Sequence, residues 1–132
     1  MKTFVDTSAF LAVVDADAAQ HPRANRAWRD LVGGEDTLLT TSYVLVETFA
    51  LVQARLGLEA TRLLNDDVVP ILRITWVDEE LHRAAITALV TAQRRDLSLV
   101  DCVSFEAIRR LGAERAFAFD RHFRQQGFAV IP

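Results

Sequence analysis

The chain has 132 residues, 51% of them hydrophobic and 25% charged, which supplies one core, gives no compositional sign of disorder and leaves little room for a second domain. Fifteen basic against eighteen acidic residues leave a net charge of −3, so a nucleic-acid role has to come from a local site and not from a global field. Cys102 is the only cysteine and the three histidines are scattered at 21, 82 and 122, which excludes an intramolecular disulfide and a Cys/His zinc pattern and points to a reduced, cytoplasmic setting.

Thr3-Phe4-Val5 predicts a first strand, and Asp6-Thr7-Ser8 opens a helix to about Val14. Within that helix Ala9 to Val14 is the longest unbroken apolar run, far short of the roughly 20 residues a bilayer span needs, so no membrane crossing is expected. The early carboxylate of Asp6 and the lack of a cleavage pattern also argue that the N-terminus is part of the fold and not a leader. His21-Pro22 starts a second helix that Gly33-Gly34 stops, and Thr37 to Thr40 reads as a second strand. Ser42 is placed to cap a third helix ending at Leu56-Gly57, and a fourth runs from Leu58 to about Asp67 before Pro70. Leu72 to Val77 is a third strand, followed by a long helix from Asp78 or Glu79 to about Arg95. Ser98 caps a helix ending at Leu111-Gly112, Arg115 to Phe119 is a fourth strand, and Phe128 to Ile131 a fifth. Alternation of strands and helices along the chain predicts an α/β fold with a mostly parallel sheet of about five strands between helical layers, and a crevice at the carboxyl ends of the strands.

Four acids stand where an ordinary surface carboxylate would not. Asp6 and Asp120 each follow a buried strand directly, so both should face that crevice. Glu47 has Tyr43, Val44, Ala50 and Leu51 as its helical neighbours and no basic residue between Tyr43 and Gln53. A carboxylate turned to such a face must be paired, protonated or metal-bound. Asp101 closes Ser98-Leu99-Val100-Asp101, a capping-box pattern. For Asp6 and Asp101 a helix cap is the competing role. Clustered carboxylates repel by about 4 kcal/mol per pair at 4 Å and an effective dielectric near 20. With no lysine at hand, oxygen ligands alone indicate Mg²⁺ or Mn²⁺ and not Zn²⁺.

Asp6-Thr7-Ser8 after the first strand, Thr41-Ser42 with Glu47, Leu97 to Cys102, and Phe119-Asp120-Arg121-His122-Phe123 together resemble the successive motifs of PIN-domain nucleases. The likeness spans the whole chain and is greatest to the VapC toxins of bacterial toxin–antitoxin pairs. It implies a three-layer fold and a Mg²⁺- or Mn²⁺-dependent endoribonuclease whose catalytic, metal-binding acids are Asp6, Glu47, Asp101 and Asp120. Thr7, Ser42 and Ser98 match the small polar positions that support those acids. Partners implied are an RNA substrate, a cognate antitoxin covering the crevice, and a second copy of the chain in a homodimer. Leu51, Val52 and Leu56 are offered for such contacts, with core packing as the competing role. Arg121 and Arg124 are candidate RNA contacts, beside Arg23, Arg26, Arg29, Arg94 and Arg95, whereas His122 is read as a packed or capping residue. Rival readings are a non-toxin nuclease of RNA processing and a phosphoacceptor signalling module, the latter weakened because Lys2 is the only lysine.

Overall fold

In the computed structural model, which describes residues 1–132, five parallel strands form one sheet in the order β3-β2-β1-β4-β5. They are β1 (Lys2–Val5), β2 (Thr37–Thr41), β3 (Arg73–Thr75), β4 (Arg115–Phe117) and β5 (Val130–Ile131), and seven helices flank them. The helices are α1 (Thr7–Val14), α2 (His21–Gly33), α3 (Ser42–Leu56), α4 (Leu58–Leu63), α5 (Glu79–Ala92), α6 (Leu99–Leu111) and α7 (His122–Gln125).

Successive side chains of a strand point to opposite faces. Thr3, Phe4 and Val5 in β1, and Leu38 to Thr41 in β2, are all buried, so both faces of the central strands are covered, as parallel sheets require. Phe4, Val5, Phe117 and Ala116 from the sheet meet Phe10, Val44, Val52, Ile108 and Phe123 from the helices in one core. Residues at opposite faces of one strand therefore serve one continuous core that runs round the sheet. A smaller cluster, Leu81, Ala85, Cys102 and Val103, joins α5 to α6.

The strand order fixes where a ligand can sit. From β1 the chain steps outward through β2 to β3 on one side, then returns to place β4 and β5 on the other. β1 and β4 are thus the neighbours across which connectivity reverses, and the crevice of such a sheet opens beyond their carboxyl ends. Phe4 pairs with Leu39 on one side and Ala116 on the other, which brings the residues following Val5 and Phe117 side by side.

Several predicted boundaries shift. Thr41, not Ser42, caps α3, its hydroxyl accepting the Val44 N–H at 3.2 Å. The Ser42 hydroxyl instead accepts the Val77 N–H at 2.9 Å, and so ties the segment after β3 to the start of α3. Beyond α4 the chain widens into a π-helical turn, Leu64–Val68, before the 3-10 turn at Pro70. The third, fourth and fifth strands are shorter than the apolar runs suggest: those runs continue as loop, buried at Ala118 but exposed at Trp76 and Ala129. Gln93, at φ 51°, ends α5 three residues before Asp96. The short helix α7 carries no periodic signal in its four residues and is an addition to the predicted elements.

Candidate metal and phosphate site

Asp6 leaves β1 and becomes the N-cap of α1: its Oδ2 accepts the Ser8 N–H at 3.1 Å and the Ser8 hydroxyl at 2.6 Å. The same Ser8 oxygen accepts the Phe119 N–H at 2.9 Å, while the Asp6 N–H donates to the Phe117 carbonyl at 3.1 Å. Both bonds lock the end of β1 to the loop that carries Asp120. Asp101 is the third residue of α6 in a complete capping box. Its Oδ2 accepts the Ser98 N–H at 3.2 Å and its N–H donates to the Ser98 hydroxyl at 3.0 Å. Asp120 Oδ1 accepts the His122 N–H at 2.9 Å. Cap and site are therefore not competing roles. Each aspartate spends one oxygen on fixing its own orientation, and no protein donor takes the other.

Asp6, Glu47, Asp101 and Asp120 line one open cavity of about 270 Å³ together with Thr7, Ser8 and Ser98. Thr7 holds α1 to α3, its hydroxyl donating to the Val44 carbonyl at 3.4 Å and accepting from Thr48 at 3.2 Å. Ser42 does not line the cavity. Glu47 is half-buried at the cavity wall and makes no ion pair or hydrogen bond, so it is not driven into the core as its apolar neighbours suggested. The tightest grouping is Asp101, Asp120 and His122, with donor atoms all within 4.8 Å of one another.

His122 is the residue that sequence reasoning undervalued. Its ring is buried, with Nε2 3.1 Å from Asp96 Oδ2 on the outer side. On the inner side Nδ1 lies 2.8 Å from Asp120 Oδ1 and 3.7 Å from Asp101 Oδ2, yet is misaligned for a hydrogen bond with either. An imidazole nitrogen thus lies beside the carboxylates, a donor that the oxygen-only expectation left out. The signal was the spacing Asp120-Arg121-His122, two residues after a strand-end acid. Arg94 braces the outer carboxylate through two bonds, Nε to Oδ1 at 3.1 Å and Nη2 to Oδ2 at 2.7 Å. With His122 it holds the Asp96 carboxyl well below the usual carboxylate range.

Electrostatics mark the same place. Burial raises the Asp6 pKa to about 6 against the Ser8 hydrogen bonds, with the charges of Asp101 and Asp120 adding to the rise. Burial likewise raises Asp101, opposed by its capping bonds. Ionised carboxylates held together out of water are costly without a counter-charge, and donors this close with free oxygens fit a divalent cation. Lys2 lies at the opposite end of β1, its Nζ donating to the Leu111 carbonyl at 3.1 Å, so the phosphoacceptor reading loses the lysine it needs.

Neither Arg121 nor Arg124 lines the cavity. Arg121 is largely exposed, 3.7 Å from Asp96, and Arg124 donates to the Pro132 carbonyl at 3.4 Å. Arg23 lies over the Phe119 ring, 5.9 Å from its centroid. Val52 is fully buried and Leu56 packs on the core, whereas Leu51 faces the cavity, so core packing accounts for most of that stripe.

A crevice at the β1/β4 reversal, lined by aspartates from a strand end, a helix start and the loop after β4, is a candidate metal site on a parallel α/β scaffold. The PIN domain family model matches residues 3–129, and the chain belongs to that family. It is 33% identical over 129 residues, 97% of this chain and 96% of the relative, to the 23S rRNA-specific endonuclease VapC20 of Mycobacterium tuberculosis. The crystal structure of that VapC20, a sarcin–ricin loop cleaving toxin, superposes with a TM-score of 0.88 over 98% of this chain and 99% of that one. VapBC2 from Rickettsia felis, bound to a DNA fragment from its promoter, shares the fold at a TM-score of 0.70 and 14% identity, covering 98% of this chain and 97% of that one.

Proposed function

We propose that the protein is a Mg²⁺- or Mn²⁺-dependent endoribonuclease, the toxin of a toxin–antitoxin pair. The observation that carries this reading is the trio Asp6, Asp101 and Asp120, each fixed through one oxygen and open at the other on a shared cavity. Asp6, Asp101, Asp120 and Glu47 would hold the ion, with His122 beside them. A bound divalent cation supplies a water of lowered pKa and neutralises charge on the phosphate. Ser8 and Ser98 keep the Asp6 and Asp101 carboxylates aimed, Thr7 ties α1 to α3 beside them, and Asp96 holds His122 from behind. Glu47, free of partners on the cavity wall, or Asp120 would orient or deprotonate the attacking water.

The likeness to a sarcin–ricin loop cleaving toxin supports ribosomal RNA as substrate and a cognate antitoxin as partner. Self-association as a homodimer is part of the same reading; light scattering of the purified chain tests it. For the activity itself, the native protein should cut 23S rRNA in Mg²⁺ or Mn²⁺ and arrest growth when expressed. Asp6→Asn and Asp101→Asn should lose both while circular dichroism stays unchanged. Full activity in either folded variant would remove this site from the chemistry.

A further inference from the structure

The acid cavity does not end at the aspartates. A second cavity of about 390 Å³ continues from it, sharing Ser8, Leu11 and Asp120. Its walls follow from helix periodicity. Ser8, Leu11 and Asp15 lie on one face of α1 and Glu47, Leu51 and Arg55 on one face of α3, so a single groove runs between the two helices from Glu47 to Arg55, about 12 Å along the axis at 1.5 Å per residue.

Arg55 is the only lysine or arginine lining either cavity. It is exposed and forms no ion pair, so its charge is uncommitted. Asp15, on the opposite wall, already uses its Oδ1 to accept the Asp17 N–H at 3.0 Å. The loop side of the groove is the half-buried ring of Phe119. Arg23 covers that ring from 5.9 Å but does not line the groove, and Phe117 packs on it at a tilt, 6.2 Å between centroids. A lone guanidinium, an aromatic surface and the Gln20 amide within one nucleotide-sized cavity match how single strands are held, by phosphate contact and by base stacking.

We propose that this groove is a nucleotide subsite of the RNA strand, in which Arg55 grips the phosphate next to the one presented to the aspartates while Phe119 stacks its base. The proposal rests on the nuclease reading above. It makes Arg55 and Phe119 binding residues that set the register of the strand, since a nucleotide seated there decides which bond lies over Asp6, Asp101 and Asp120.

Binding and cleavage, measured apart, separate the two readings. Cleavage by native protein against Asp6→Asn reports on the nuclease reading alone. In the Asp6→Asn background, binding of a fluorescein-labelled RNA hairpin bearing the sarcin–ricin loop is followed by anisotropy over a salt series. Removing one phosphate contact with Arg55→Gln should flatten the slope of log K against log salt by about 0.7. Phe119→Leu should weaken binding about tenfold with the slope retained. Arg62→Gln, which removes the same charge from the exposed side of α4, should change neither. If Arg55→Gln and Arg62→Gln give the same slope, the subsite is refuted although cleavage still depends on Asp6. It is equally refuted if Arg55→Gln leaves RNA binding intact but releases the protein from its antitoxin, because the groove then belongs to a protein partner.

Discussion

At Asp6, one carboxylate caps a helix, closes a loop and faces the cavity. An acid whose folded pKa is raised binds its proton more tightly in the native state, so its contribution favours folding below the unfolded value of 3.8 and is lost as pH rises through about 6. The rise corresponds to about 3 kcal/mol at neutral pH. Metal-free Asp6→Asn should therefore be more stable than the native chain at pH 7.5, by up to about 3 kcal/mol, and the gain should vanish near pH 4; denaturant titration in EDTA at both pH values reads this out. A variant that is more stable yet inactive would identify strain kept for function. Ser8→Ala removes the hydroxyl bonded to both Asp6 and Phe119 and should cost about 1–3 kcal/mol, read from the same titration.

At the level of the elements, the helix starts and strand ends were legible because their chemistry is local. Val5-Asp6 and Ser98 to Asp101 state in the sequence where an element begins or stops, whereas Phe119-Asp120 does not, because β4 already ends at Phe117 and Asp120 stands in the loop beyond it. What was not legible depends on partners distant in the chain. Glu47 looked core-facing because its helical neighbours are apolar, but only the position of α1 decides that this face borders a cavity. His122 joined the acids because α7 folds back on Asp96, twenty-six residues earlier, and Arg55 faces the same groove only through the packing of α1 on α3. The capping box offers a direct check. Ser98→Ala removes the hydroxyl that accepts the Asp101 N–H and should cost about 1 kcal/mol, whereas the Ser98 N–H still holds the Asp101 carboxylate, so single-turnover cleavage should persist at temperatures where thermal melting shows the variant folded.

For the whole molecule, the carboxylates make the native state a better ligand for cations than the unfolded chain, in which they are far apart. A divalent ion at one hundred times its Kd should stabilise by about 2.7 kcal/mol, visible as a melting rise in Mg²⁺ or Mn²⁺ that EDTA abolishes and Asp101→Asn reduces. The net charge of −3 is compatible with the proposed RNA enzyme if affinity comes from a bound ion and a few guanidinium groups and not from the surface at large.

The pairing of β1 with β4 has a consequence for biosynthesis. The first strand must wait for residues 115–117 before its edge is closed, and Asp120 follows later still. A nascent polypeptide interrupted before that point carries three of the four acids but lacks the strand that gathers them. For the proposed nuclease, the four acids come together only once synthesis has passed Asp120.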